Sequence, residues 1–161
     1  MNKKLQNYIV SVSMVVITLA VSISAQKGNT GGGRLTGTWD AVVSITNCET
    51  GGVITTFQST ASFHQGGTST GITSGVPPAL RSPEVGIWRH EFDNKYSFRF
   101  KAYLFNAAGA PIAYQIITHE IELDENNLDY TSAGGVKIFA LNGPPMGTGC
   151  SSAVGTRMLL D

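Results

Sequence analysis

The sequence predicts an all-β domain, an eight-stranded antiparallel up-and-down β-barrel. From residue 36 onward it contains eight extended runs separated by turn signals. No stretch places apolar residues at helical spacing for longer than two turns, and most connectors are short enough to join antiparallel neighbours. Eight strands in about 125 residues leave no open edge if they close into a cylinder. A two-sheet β-sandwich is the alternative.

The first four predicted strands cover residues 36–46, 53–64, 67–73 and 85–91. The first carries Trp39 on an alternating apolar face, and the second places Phe57 and Phe63 opposite threonine, serine and glutamine. The third is short and rich in glycine, threonine and serine. In the fourth, Trp88 and His90 have the same parity and therefore share a face.

The last four predicted strands cover residues 95–105, 111–123, 127–140 and 147–158. In the fifth, Phe98 and Phe100 form a dry face opposite polar and charged residues. In the sixth, Ile117 lies opposite glutamates, and short polar or Gly/Pro connectors delimit the seventh and eighth. Only the connector at residues 74–83 is long enough to be a lid or a crossover.

The composition excludes two classes of protein. The 161 residues contain 11 basic and 11 acidic side chains, and the basic ones are scattered. A nucleic-acid partner is therefore not expected, because phosphate binding needs clustered lysine and arginine. With 42% hydrophobic and 14% charged residues, the chain also has too much apolar content for a disordered tail protein. One domain is the most that this length accommodates.

Residues 1–25 are predicted to be a signal peptide. Lys3 and Lys4 form a short positive start, a mostly apolar stretch follows, and small residues precede a cleavage point after Ala25. Cleavage after Ser22 is the second choice. A retained membrane anchor is the other interpretation, because the apolar stretch approaches the roughly 20 residues that span a bilayer.

The remaining chain divides into a glycine-rich flexible linker at residues 26–34 and the barrel domain at residues 35–161. Export of this kind predicts a secreted or periplasmic protein, with bacterial export favoured by the short signal. Contact with a membrane is expected only through an uncleaved signal segment.

Two residue pairs test whether the barrel closes. Cys48 and Cys150 are the only cysteines, and an exported chain with two usually joins them in a disulfide. Paired positions on antiparallel strands have a constant sum of residue numbers. The sum for Trp39 with Arg157 differs by only two from that for the cysteines, so one register of the first strand against the last brings both pairs together.

Gly37 and Trp39 form a Gly-x-Trp pattern in the first strand, and Arg157 lies near the end of the last strand. This arrangement resembles the calycins, the superfamily of lipocalin-like β-barrels. The resemblance implies that Arg157 stacks across Trp39 and closes one end of the barrel, a contact of about 1–2 kcal/mol when partly shielded. Further segments are similar to bacterial secreted proteins of unknown activity: residues 63–68, 77–83 and 86–88.

Three other patterns do not predict a catalytic or metal site. Residues 67–71 match the Gly-x-Ser-x-Gly elbow of hydrolases, but no helix follows them. None of the three histidines has a second ligand at metal spacing. Glu120 and Glu122 share one strand face, which we assign to solvent. No catalytic residue, metal or cofactor is therefore predicted.

Several aromatic and polar side chains are expected to point inward and to form a ligand site: Phe57, Phe63, Trp88, His90, Phe98, Phe100 and Tyr114. A small barrel fills its interior with side chains or with a guest. The aromatic rings, with a few polar tips, suit a small apolar or amphipathic molecule, which makes an exported ligand-binding barrel the first hypothesis. The alternatives are a barrel enzyme of isomerase or cyclase type, with His90 or Tyr114 handling protons, and a filled-core structural or interaction module.

Overall fold

The computed structural model describes residues 32–160, and it confirms the closed barrel. Every strand pairs antiparallel with the next along the chain, and the eighth pairs with the first, so the sandwich alternative is wrong. The strands are β1 (Gly37–Thr46), β2 (Val53–Phe63), β3 (Thr68–Thr73), β4 (Glu84–Phe92), β5 (Lys95–Phe105), β6 (Pro111–Leu123), β7 (Asp129–Ala140) and β8 (Pro145–Arg157).

The pairing of β1 with β8 has the predicted register. Trp39 lies opposite Arg157, and Thr46 lies opposite Cys150. Cys48, two residues beyond the end of β1, forms a disulfide with Cys150, with the two Cα atoms 5.2 Å apart. The seam that closes the barrel is therefore fixed at one end by the disulfide and at the other by the Trp39–Arg157 pair.

The end of the barrel around Trp39 is closed. Trp39 is fully buried and donates its indole N–H to the carbonyl of Leu35 at 2.9 Å. The Arg157 guanidinium carbon lies 4.2 Å from the indole centroid, which confirms the stacking that the resemblance implied. Arg157 also donates to the carbonyls of Thr36 and Asn127, both at 2.7 Å. Arg157, the last residue of β8, is thereby bonded to the start of the domain at Thr36 and to the turn between β6 and β7 at Asn127.

Gly37 is required beside this guanidinium. Its φ of +138° lies in a region that other residues rarely adopt, and a Cβ atom there would come within 2.6 Å of Arg157 Nη1. The glycine of the Gly-x-Trp pattern thus leaves space for the arginine as well as permitting the backbone conformation.

In the described part of the chain, two short 3₁₀ turns lie outside the strands, at Gly32–Arg34 and at Pro78–Leu80. The first lies at the end of the predicted flexible linker, where the Arg34 carbonyl accepts a hydrogen bond from Arg157. The second lies in the long connector between β3 and β4. The predicted signal peptide, residues 1–25, lies outside the described residues. Within residues 32–160, the structure contains no helix with the length and apolar character to cross a bilayer.

Candidate functional site

The barrel contains a cavity of about 480 Å³. It is bounded on one side by residues 74–76 of the long connector and extends inward to Tyr130, which packs edge-on against Trp39 at 5.1 Å. Its lining residues are Ala41, Val43, Ile45, Thr55, Thr56, Phe57, Ser59, Ala61, Phe63, Thr73, Ser74, Gly75, Val76, Arg81, Glu84, Phe98, Phe100, Gln115, Ile117, His119, Tyr130, Ser132, Val136, Ser151 and Ala153. The surface of the cavity is mostly apolar, although twelve of its 25 lining residues have polar side chains.

Four of the predicted ligand-binding residues, all phenylalanines, line this cavity. Phe63 packs edge-on against Phe98 at 5.8 Å, and Phe98 lies 4.8 Å from Phe100. Phe57 contacts the connector, where a Cβ atom on Gly75 would lie 2.7 Å from the Phe57 ring. Phe63, Phe98 and Phe100 therefore form an aromatic wall, and Phe57 lines the cavity separately, beside the connector.

Trp88 and His90 face inward as their shared parity predicts, but they lie toward the closed end and do not line the cavity. Trp88 donates its indole N–H to the His64 carbonyl at 3.0 Å. The half-buried His90 donates from Nε2 to the Asp93 carbonyl at 2.9 Å, and its ring lies 4.9 Å from that of Tyr96. Parity fixes the face of a side chain, whereas its distance along the strand decides which part of the interior it enters.

Tyr114 does not face the interior, and the prediction that it does is wrong. Its ring stacks on Phe139 at 5.0 Å on the outer surface, with Lys101 Nζ 4.5 Å from its centroid. Ile117, an odd-numbered residue of the same strand, lines the cavity. Because successive side chains alternate between faces, Tyr114 and Ile117 cannot both point inward in regular β6.

His119, which the sequence did not single out, is a central polar group of the cavity. It is buried, with Nδ1 3.0 Å from Ser132 Oγ and Nε2 2.7 Å from Ser151 Oγ. Its neighbour across the β6–β7 ladder is Gly134, where a Cβ atom would lie 2.7 Å from His119 Cδ2. Glycine at that position gives the imidazole its space.

Burial determines the charge of this histidine. Desolvation lowers the pKa of His119 from its ordinary 6.5 to about 4, so the ring is neutral at neutral pH. A neutral imidazole has one N–H donor and one acceptor nitrogen. One of the two serines therefore accepts a hydrogen bond from the ring, and the other donates one to it.

A buried ion pair forms the second polar group. Arg81, at the end of the connector, contacts Glu84 at the start of β4, and both side chains are almost completely buried. With its amide oxygen turned toward the guanidinium, Gln115 accepts from Arg81 Nε at 2.6 Å. This pair contributes the only two charged side chains among the cavity-lining residues, and their charges cancel. The Tyr130 phenol is also neutral, since burial and then the charge of Glu84 raise its pKa.

The lowered pKa of His119 predicts an acid-sensitive fold. Between the folded pKa of about 4 and the unfolded value of 6.5, the unfolded chain binds the proton more tightly, so lowering the pH destabilises the folded state. From about pH 8 to pH 5 the loss is about 2 kcal/mol in the free energy of unfolding. Urea unfolding of the wild type at both pH values measures it.

The His119→Gln variant supplies the control for this effect. It is expected to be less stable at pH 8 because of the altered buried hydrogen bonds, but to lose about 2 kcal/mol less than the wild type on acidification. Equal losses in the two proteins would contradict the assignment of the effect to His119. His90→Gln, a substitution at the other inward-facing histidine, should keep the His119 contribution.

The remaining sequence patterns are also placed by the structure. Ser69 of the Gly-x-Ser-x-Gly segment lies within β3, buried, with no hydrogen-bond partner for its Oγ among the described residues. Glu120 and Glu122 are exposed, and Glu122 pairs with Lys95. Among residues 32–160, no three histidine, cysteine, aspartate or glutamate side chains converge as a metal site would require.

These features define the protein as a closed eight-stranded antiparallel up-and-down barrel with an internal cavity. No protein-family model and no curated protein matches the sequence. Among solved structures, the chain is similar to "Crystal Structure of Rv2717c from M. tuberculosis", with a TM-score of 0.45 and 12% sequence identity, over 83% of this chain and 98% of that chain.

Proposed function

We propose that this protein binds a small, largely apolar molecule inside its barrel. The observation that carries the proposal is the cavity of about 480 Å³ lined by four phenylalanines. Ligand sites in proteins measure about 300–1,000 Å³ and combine apolar walls with a few placed polar groups. A filled-core module would instead occupy this space with its own side chains.

The proposal includes a calycin-like architecture and an extracellular or periplasmic location. The first is supported by the Gly37-x-Trp39 pattern with Arg157 stacked on the indole. The second is supported by the disulfide between Cys48 and Cys150, since disulfides persist mainly in oxidising compartments. Neither of the residues on which the enzyme hypothesis depended, His90 and Tyr114, lines the cavity, so ligand binding is the better-supported function.

Filling the cavity with protein tests the proposal. Ala153 is buried on β8 and lines the cavity, so Ala153→Phe places a ring where a ligand would lie. We expect the wild type to bind the apolar dye N-phenyl-1-naphthylamine saturably, with enhanced dye fluorescence, and Ala153→Phe to weaken binding by about tenfold or more.

The adjacent residue provides a matched control. Val154 points outward and is 56% exposed, so Val154→Phe adds a similar ring to the outer surface and should leave the dye affinity unchanged. Circular dichroism of both variants monitors the fold. Failure of the wild type to bind the dye, or equal binding by Ala153→Phe, would contradict an internal site.

A further inference from the structure

We infer that the ligand carries an uncharged polar group that both donates and accepts hydrogen bonds, such as a hydroxyl, and that the Ser132–His119–Ser151 cluster binds this group. The inference rests on the proposed function, since it specifies the chemistry of a molecule held in that cavity. It concerns the polar end of the ligand, whereas the aromatic wall accounts for the apolar part.

The cluster has hydrogen-bonding capacity that the protein does not use. Each serine hydroxyl has one donor and two acceptor sites, and among the described residues the hydroxyls of Ser132 and Ser151 bond only to His119. In one tautomer the imidazole donates to Ser132, which leaves the Ser132 hydroxyl hydrogen free. Ser151 then donates to the ring and keeps its lone pairs as acceptors.

The other tautomer exchanges these roles. If Nε2 carries the hydrogen, Ser151 keeps a free donor and Ser132 becomes the acceptor. In both cases the cluster presents one free donor and at least one free acceptor. A ligand hydroxyl suits either tautomer, because it can donate to the acceptor serine or accept from the donor serine.

The placement of the cluster directs it at the cavity. His119, Ser132 and Ser151 come from the three adjacent strands β6, β7 and β8, and all three line the cavity although each is buried. The Phe98 ring lies 5.3 Å from the imidazole, so the aromatic wall begins next to the polar cluster. An amphipathic ligand can therefore place its polar end on the serines and its hydrocarbon along the phenylalanines.

The charges of the cavity disfavour an ionised ligand. Arg81 and Glu84 neutralise each other at close contact, and Gln115 occupies further donors of the guanidinium. A carboxylate or an ammonium group in the cavity would lose its hydration without a free counterion, which is costly in an apolar interior. A neutral polar group loses much less hydration free energy when it enters the cavity.

A series of ligands with one hydrocarbon chain and different head groups tests the inference. Competition of 1-decanol, decanoate and decylammonium for bound N-phenyl-1-naphthylamine is measured at pH 7.5. We expect 1-decanol to displace the dye at about tenfold lower concentration than either ion. A preference for decanoate would overturn the inference and assign the polar site to Arg81.

Serine variants connect the preference to the cluster. In Ser132→Ala/Ser151→Ala, 1-decanol should lose about tenfold in affinity, while the dye, which lacks a hydroxyl, should bind as before. Ser152→Ala, on the opposite face of β8, is the matched control and should change neither the affinity for 1-decanol nor the affinity for the dye. If the double variant does not fold, at least one single variant must weaken 1-decanol binding. Unchanged 1-decanol affinity in a folded variant would overturn the inference, whereas loss of dye binding by the wild type would contradict the proposed function itself.

Discussion

Removing the disulfide with the paired substitution Cys48→Ser/Cys150→Ser is expected to lower the free energy of unfolding by about 4 kcal/mol. The bond joins residues separated by 102 positions. In the chain-entropy description, a cross-link that closes a loop of about 100 residues restricts the unfolded chain by about 4.7 kcal/mol, and real proteins usually show somewhat less. Cys48 is exposed and Cys150 half-buried, so serine adds little burial penalty of its own.

Guanidinium chloride unfolding under oxidising conditions measures this loss. The slope of stability against denaturant should rise in the variant, because an unfolded chain without the cross-link exposes more surface. Wild-type protein unfolded in the presence of a reductant is the control and should match the variant. A loss below about 1 kcal/mol would contradict the entropic role of the bond and would indicate that β1 and β8 stay associated in the unfolded chain.

Replacing Trp39 with alanine is expected to cost about 4 kcal/mol of stability. The indole is fully buried at the closed end of the barrel, where it packs against Tyr130 and Arg157. Its loss leaves a large cavity and removes the donor that the Leu35 carbonyl uses. Urea unfolding followed by far-ultraviolet circular dichroism measures the change without depending on tryptophan fluorescence.

Two further experiments separate packing from stacking. Val42→Ala, on the outward face of the same strand where the side chain is 43% exposed, should cost well under about 1 kcal/mol. A double-mutant cycle of Trp39→Phe with Arg157→Lys should yield a coupling of about 1 kcal/mol, since lysine cannot reproduce the planar stack. A small loss in Trp39→Ala would contradict the view that the indole closes the barrel.

The fold was largely predictable because its signals are local or depend on simple geometry. The fifth and sixth strands begin and end where their alternation and turns predict, at 95–105 and 111–123. The pairing of β1 with β8 was predicted from residue numbers, because the numbers of Trp39 and Arg157 and those of the two cysteines have nearly the same sum. Antiparallel pairing keeps such sums constant, so two pairs that agree indicate one ladder.

The candidate site was predictable only in part. The phenylalanines lie on strands whose polar and apolar faces are distinct, and they line the cavity. The sixth strand is apolar on both faces near its start, which concealed the outward direction of Tyr114. The inward direction of Ile117 would have shown that Tyr114 points outward. It would also have placed His119 inside, since residues 117 and 119 share a face.

No pattern in the sequence predicted the buried ion pair of Arg81 and Glu84. Arg81 lies in an irregular connector, where alternation carries no information, and its partners Glu84 and Gln115 come from two different strands. Nothing in the spacing of these residues along the chain indicates that a guanidinium turns inward. Their contact depends on the path of the connector, which brings Arg81 beside Leu104 of β5.

The sequence by itself determined the all-β class, the order of the strands and the face on which most side chains lie, because alternation has a period of two residues and is decided within each strand. The tertiary structure decided how deep each inward side chain sits. The position of a side chain along the barrel axis depends on the register of its strand against both neighbouring strands. These register shifts add up around the whole barrel. They place His90 toward the closed end and His119 in the cavity, although both face inward.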